Sequence, residues 1–226
     1  MMKGFMTESK GRGRQRNTKS QEAILKATFE LLKKTPLRDI TIEAIARKAG
    51  VGKMTIYKWW PGKAYVALEA YRDVIKRNIP IADTGDVEKD LTDLLRSTMI
   101  LSGSPNGRIF GQFLAETQSD PDFARFFRED FLKPRRDAIQ ELLGRAVMRG
   151  EIDGTVNKEL VLDLLFGPVI FRMMAGYGPP KIEAETIISS VMCGIRGQTR
   201  RTPALRQSRK IEQRKTSSKK GSGETS

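Results

Sequence analysis

A chain of 226 residues, 38% of them apolar, is long enough for one large domain or two small ones on a shared core. It holds no histidine and one cysteine, Cys193, which excludes imidazole-based nucleophilic catalysis, an internal disulfide, and any metal site not made of carboxylates alone. The net charge of +14 is unevenly spread: residues 1–20 carry six basic and one acidic side chain, residues 21–62 eight and four, residues 63–196 eighteen and twenty, and residues 197–226 nine and two. A near-neutral body between basic ends is the pattern of a polyanion-binding protein, with a solubilising tail an equal reading of residues 197–226. The first sixteen residues have no apolar run of signal-peptide type, and nowhere do roughly 18 apolar residues run together. The expectation is a soluble cytoplasmic protein without a membrane segment.

Taken in chain order, the sequence reads as helix after helix, an all-α fold with apolar spacings of three and four from residue 20 to residue 196. Residues 1–19 read as a flexible basic arm. The first helix starts near Thr18 to Ser20, where Thr18 and Gln21 have capping-box spacing, and turns Ile24, Ala27 and Leu31 inward. Pro36 breaks it. Thr41 caps a second helix that buries Ile42, Ile45, Ala46 and Ala49. Gly50 ends it, a third runs from about Gly52 to Trp60, and Pro61-Gly62 separates that from a fourth over residues 63–78 carrying Ala64, Leu68, Tyr71 and Ile75. Asp86 opens a fifth helix through Ser102, closed by Gly103-Ser-Pro-Asn-Gly107, and another runs from Arg108 to about Gln118. Asp120-Pro121 pairs an N-cap with proline at the first helical position, and the chain stays helical to Met148 with a bend at Pro134. Gly150 closes that run. Asn157 opens a strongly apolar helix to about Ala175, Tyr177-Gly-Pro-Pro180 terminates it, and residues 183–196 form the last helix.

Residues 41–60 have the dimensions of a helix-turn-helix, whose second helix enters the DNA major groove. Ala49 lets the helices cross closely, Gly50 supplies a positive φ, and Val51 plugs the crossing. At 100° per residue the third helix turns Ile56, Trp59 and Trp60 to one side and Met54 and Lys58 to the other, with Thr55 and Tyr57 on the flanks. Lys53 and Lys58 can meet phosphate or a guanine edge, Thr55 and Tyr57 can donate to phosphate oxygens, and Met54 can touch a thymine methyl. Residue by residue, an ordinary amphipathic hairpin with a solvated basic face is the better reading; the turn, the basic arm and the charge segregation together favour DNA.

The run Thr41-Ile-Glu-Ala-Ile-Ala-Arg-Lys-Ala-Gly-Val-Gly-Lys-Met-Thr-Ile-Tyr-Lys-Trp-Trp-Pro-Gly-Lys63 resembles the signature of the TetR/AcrR family of transcriptional repressors. It departs at Met54, where glycine or alanine is more common, and at Trp59-Trp60 in place of a His-Phe pair, a form similar to one subgroup. Asp163-Leu-Leu-Phe-Gly-Pro-Val-Ile-Phe-Arg-Met-Met-Ala-Gly-Tyr-Gly-Pro179 resembles the C-terminal domain of that subgroup. Residues 197–226, rich in Ser, Thr, Gly, Lys and Arg with few apolar residues, read from composition as a disordered basic tail. The resemblance implies a three-helix DNA-binding domain over residues 20–63 and a helical regulatory and dimerisation domain over 64–196. It implies DNA contacts from Thr41, Lys53, Met54, Thr55, Tyr57, Lys58, Trp59 and Lys63, with Tyr57, Thr55 and Lys63 positioning the protein and Lys53, Met54 and Lys58 reading bases; Arg12, Arg14 and Arg16 are further candidates in the arm.

By the same resemblance the protein works as a homodimer on an inverted-repeat operator, its recognition helices about 34–36 Å apart. The expected dimer face comprises Val161, Leu165, Pro168, Val169, Ile187, Ile188, Val191 and Ile195, with Gly167 and Gly194 allowing close approach. No cofactor or metal is expected. A small apolar or amphipathic effector of unknown identity is, and its pocket is assigned to Phe110, Phe113, Leu114, Phe127, Met148, Phe166, Phe171 and Met174, with plain packing the competing reading of each. The fourth helix is the lever between the two activities. A constitutive nucleic-acid binder without effector is the alternative. An enzyme is not expected, since pairs such as Glu116 with Asp120 and Asp137 with Glu141 read as solvated surface charge.

Overall fold

The computed structural model describes residues 10–177 and 183–194, with side chains from residue 18 onward. Every regular element among the described residues is helical. The expected tail over 197–226, and Ile195, lie outside the described residues, as do residues 1–9 and the side chains of Arg12, Arg14 and Arg16.

Helix α1 spans Lys10–Leu32, so residues 10–19, expected as a flexible arm, form its first turns. Gly11 and Gly13 each cost about 1 kcal/mol against alanine in a helix, which is why sequence propensity starts the helix only at Thr18. Ile24, Ala27 and Leu32 are buried, and buried Thr28 satisfies its hydroxyl by donating to the Ile24 carbonyl at 2.7 Å. After Pro36 a single tight turn, Leu37–Asp39, drops Leu37 and Ile40 into the core. Helix α2 is Ile42–Ala49; the Thr41 hydroxyl accepts the Ala44 N–H at 3.1 Å, and Gly50 at φ 68° lets Val51 N–H return to the Ala46 carbonyl at 3.0 Å.

Helix α3 covers only Lys53–Tyr57 and α4 covers Lys63–Asn78. The third helix is shorter than expected because Pro61 cannot continue it and Trp59-Trp60 already lie in the turn ahead of that proline. Buried residues of α4 (Ala64, Val66, Ala67, Leu68, Tyr71, Val74 and Ile75) cover more than one face. The helix packs on α1 on one side and on the helices described next, α5 and α6, on the other.

Helix α5 is Val87–Ser102, capped by Asp86. In its first turn, buried Asp90 accepts from the Thr84 N–H at 2.9 Å and its hydroxyl at 2.8 Å, pinning the loop from α4. Helix α6 is Pro105–Glu116 and starts three residues before the expected Arg108, because Ser104 and Pro105 supply the same cap-and-proline device as Asp120 and Pro121. Helix α7, Pro121–Phe126, passes into a wide π turn over Phe127–Leu132 and then into α8, Lys133–Met148. The expected bend at Pro134 takes this form. Proline has no N–H for the carbonyl four residues back, that of Asp130, and the preceding turn widens around the gap. Arg72 of α4 donates to that orphaned carbonyl at 2.9 Å. Helix α9 is Lys158–Met174, capped by Asn157, and a last helix, α10, occupies 184–194. The buried side chains form one continuous interior from Ile24 to Met192.

Gly107, in the first turn of α6, sits tight against the end of α5: a Cβ there would collide with the backbone carbonyls of Leu101 and Ser102. Gly111, one turn on, has only an ordinary 3.9 Å neighbour in Met173. We therefore expect Gly107→Ala to lower the unfolding free energy by about 3 kcal/mol, the upper range for overpacking. Gly111→Ala is expected to raise it by up to about 1 kcal/mol through helix propensity; urea titrations of both variants check the contrast.

Candidate nucleic-acid interface

Helices α2 and α3 pack together with Ile45, Ala46 and Ile56 buried between them and the core, and Val51 half-buried against it. With Ile56 inside, the helical period turns the opposite face of α3 to solvent: Met54 is 78% exposed, and Lys53, Tyr57 and Lys58 are also exposed. Thr55 is half-buried on the flank. The expectation that both tryptophans face inward holds for Trp60 only. Trp59 is 38% exposed and joins the outer face, since the chain has left the helix before reaching it. Met54, Tyr57 and Trp59 are thus large apolar groups left exposed on a segment that also exposes Lys53 and Lys58.

The lysines are held rather than loose. Lys53 Nζ donates to Glu43 Oε1 at 2.9 Å across the turn. That bond holds the Glu43 carboxyl below the ordinary carboxylate range and raises the Lys53 ammonium in return. Lys58 Nζ lies 5.9 Å from the centre of the Trp59 ring. Lys63 is half-buried and donates to the Arg38 carbonyl at 2.6 Å. Exposed Thr41 uses its oxygen as the cap of α2 and its side chain also hydrogen-bonds the Glu43 carboxylate. Buried Trp60 donates Nε1–H to Glu69 Oε2 at 2.6 Å, tying the end of the recognition segment to α4. Leu37 N–H donates to Gln112 Oε1 at 2.6 Å, a second tie from this region to α6. Glu43, Glu69 and Gln112 were not identified from the sequence: their partners stand 10, 9 and 75 positions away, separations that no helical period signals.

A cavity of about 240 Å³ lies at the far end of α4. Ile75 and Ile79 contribute to its wall, with Phe110 and Leu114 from α6, Phe131, Arg135 and Ile139 from the π turn and α8, and Phe166 and Met173 from α9. Of the eight residues assigned to a pocket from sequence, Phe110, Leu114 and Phe166 line this space. Phe113 and Phe127 do not; they are buried among aromatic rings, Phe113 5.5 Å from Tyr71 and Phe127 5.3 Å from Phe131. Phe113 stands about 60° around α6 from Phe110, which turns it away from the cavity. Met148 is 80% exposed on the last turn of α8, and Phe171 and Met174 are exposed on the outer face of α9, so none of the three can reach an interior site. No cluster among the described residues has three or more side chains able to hold a metal ion, and no described helix is long and apolar enough to cross a membrane.

Known proteins match on both halves of this architecture. The family model of bacterial regulatory proteins, tetR family, matches residues 24–70, and that of the tetracyclin repressor-like C-terminal domain matches residues 81–191. The HTH-type transcriptional regulator YdeS of Bacillus subtilis (strain 168) is 31% identical over 163 residues, 72% of this chain and 82% of that protein. The chain belongs to the TetR family. The HTH-type transcriptional regulator AqdR of Rhodococcus erythropolis is 26% identical over 184 residues, 81% of this chain and 88% of its own. The crystal structure of the TetR family transcription regulator SCO0332 superimposes with a TM-score of 0.66 at 31% identity, covering 77% of this chain and 95% of that one. The protein is a DNA-binding transcriptional regulator.

In this TetR-family chain the expected dimer face needs correction. Val161, Leu165 and Val169 of α9 and Ile188 of α10 are fully buried within the single chain, where they form core. Ile187 and Val191 are half-buried, and Pro168 is exposed. Helix α9 is apolar over most of its surface, so periodicity alone does not say which stripe faces inward. The solvent-facing stripe runs through Leu160, Leu164, Gly167, Pro168 and Phe171, the last 66% exposed, and Gly194 of α10 is also exposed.

The Glu43–Lys53 pair gives a direct test of the interface electrostatics. Replacing Glu43→Gln frees the Lys53 ammonium, so affinity for duplex DNA should rise at fixed salt. The slope of log K against log salt should steepen by up to about 0.9, one phosphate's worth. Lys53→Met should change both quantities in the opposite sense, as read by fluorescence anisotropy across a salt series.

Proposed function

We propose that this regulator represses transcription as a homodimer bound to an inverted-repeat operator, and leaves the DNA when a small apolar or amphipathic molecule fills the cavity at the end of α4. The observation that carries the reading is the path of α4. Its first half is bonded to the recognition segment through Glu69 and Trp60, and its last turn supplies Ile75 and Ile79 to the cavity wall. A helix of 16 residues is about 24 Å long and moves as a rigid rod, so a shift at one end is felt at the other. An effector that favours one position of α4 changes the spacing of paired recognition helices, and DNA release follows from its preference for that state.

The exposed stripe from Leu160 to Phe171 supports the dimer: a row of large apolar groups beside a glycine and a proline is poorly suited to water and well suited to a second copy of itself. On DNA, Met54, Lys53 and Lys58 read base edges, while Tyr57, Thr55, Thr41, Trp59 and Lys63 set the register on the backbone. Lys63 must exchange the Arg38 carbonyl for phosphate when it does so.

Selection of duplexes from a random pool at about 0.2 M salt, where phosphate-only binding is suppressed, should enrich one inverted repeat. Tyr57→Phe and Lys63→Ala should then weaken all sequences alike, and Met54→Ala or Lys53→Ala should shift the selected motif. Phe171→Asp should give a monomer by sedimentation and lose the paired-site preference. An unenriched pool with binding that vanishes as salt rises would establish a non-specific constitutive binder instead.

A further inference from the structure

The polar inventory of the cavity is one-sided. Its wall includes no Asp, Glu, Asn or Gln. The hydroxyls of Thr98 and Ser102 are spent on carbonyls of their own helix, Leu94 at 2.8 Å and Met99 at 2.7 Å. Two arginines line the space and differ in kind. Arg136 is neutralised from outside by Glu159 and by Asp163 at 2.9 Å. Arg135 makes no ion pair among the described residues; its guanidinium donates one hydrogen bond, from Nη2 to the Ile79 carbonyl at 2.9 Å. Burial pulls it below the ordinary arginine value with no acid nearby to offset the effect, and it stays charged at any physiological pH. A guanidinium has five N–H donors, so most remain available.

Resting on the reading of this cavity as the effector site, we propose that its ligand is a small amphipathic anion, a carboxylate on an apolar body, anchored by Arg135. Paired to a carboxylate, the buried charge gains a partner that the protein itself does not give it; a neutral ligand leaves it unpaired and a cation is repelled. The volume of about 240 Å³ leaves room for a ligand of about ten non-hydrogen atoms. The anchor also explains how occupancy is felt: Ile79 is the C-cap of α4, so an anion that draws Arg135 toward itself competes with the bond holding the end of that helix.

Three probes of one chain length and different charge test this: octanoate, 1-octanol and octylammonium, titrated calorimetrically into the full chain at neutral pH. Octanoate should bind about tenfold or more tighter than octanol, and octylammonium weakest. In Arg135→Met, which keeps an apolar side chain of similar reach, octanoate should lose that advantage while octanol binds as before. Should this variant fail to fold, the order of the three probes on the unaltered protein still decides. Octanol binding as tightly as octanoate, or octylammonium tighter than either, would overturn the anionic ligand while leaving the cavity as an effector site. Binding by none of the three would remove both. A loss of the octanoate advantage in Arg136→Met with none in Arg135→Met would overturn Arg135 as the anchor.

Discussion

Burial of Tyr71 in the middle of α4, with its hydroxyl donated to the Asn106 carbonyl at 2.8 Å and its ring 6.3 Å from that of Phe110, joins the helices that present the recognition face to those that enclose the cavity. The phenol is pushed well above its ordinary value by that burial, so it is a fixed hydrogen-bond donor at every relevant pH. On one side of it α4 packs against α1 and is bonded to Trp60; on the other it meets α5 and α6 and ends against Arg135. Interiors this tightly packed do not deform smoothly but change between discrete arrangements. A helix shared by both regions is, on the proposed reading, the element through which a change at the cavity reaches the DNA face.

The recognition face is organised by a different economy. Its apolar groups, Met54, Tyr57 and Trp59, stay exposed although buried positions lie one or two residues away at Ile56 and Trp60. Its lysines are parked on Glu43, on the Trp59 ring and on the Arg38 carbonyl. Parking orders long side chains that otherwise lose rotamer freedom on binding, and on the proposed reading each solvent-exposed partner is exchanged for a phosphate or a base edge. The cost of ordering is thus met in the free protein, which pre-organises the surface for a polyanion.

How much of this the sequence discloses depends on the range of the interaction. Thr41, Gly50, Asp86, Asp120-Pro121 and Asn157 act on residues within a few positions, and the helices they bound, α2, α5, α7 and α9, lie where their cap chemistry puts them. Periodicity makes the third helix too long, because period alone does not register that Trp59 already belongs to a turn. Three cavity-lining residues were legible as large apolar groups on inward faces, but Ile79, Phe131 and Arg135 meet only after the chain has widened into its π turn ahead of Pro134. Helix α9 shows the limit most clearly: with Leu160, Val161, Leu164 and Leu165 equally apolar, the choice of which pair is core is made by α5, α6 and α8, the helices it packs on.

The chain has two tryptophans, Trp59 and Trp60, both at the junction of the recognition segment with α4 and neither in the cavity wall. A Trp59→Phe protein therefore reports from one buried indole bonded to Glu69, and its emission can be followed while calorimetry verifies that octanoate or octanol has filled the cavity. Transmission along α4 predicts a shift in Trp60 emission that saturates with cavity occupancy. An emission spectrum unchanged at full occupancy would contradict it, and with it the role of α4 as the link between ligand and DNA.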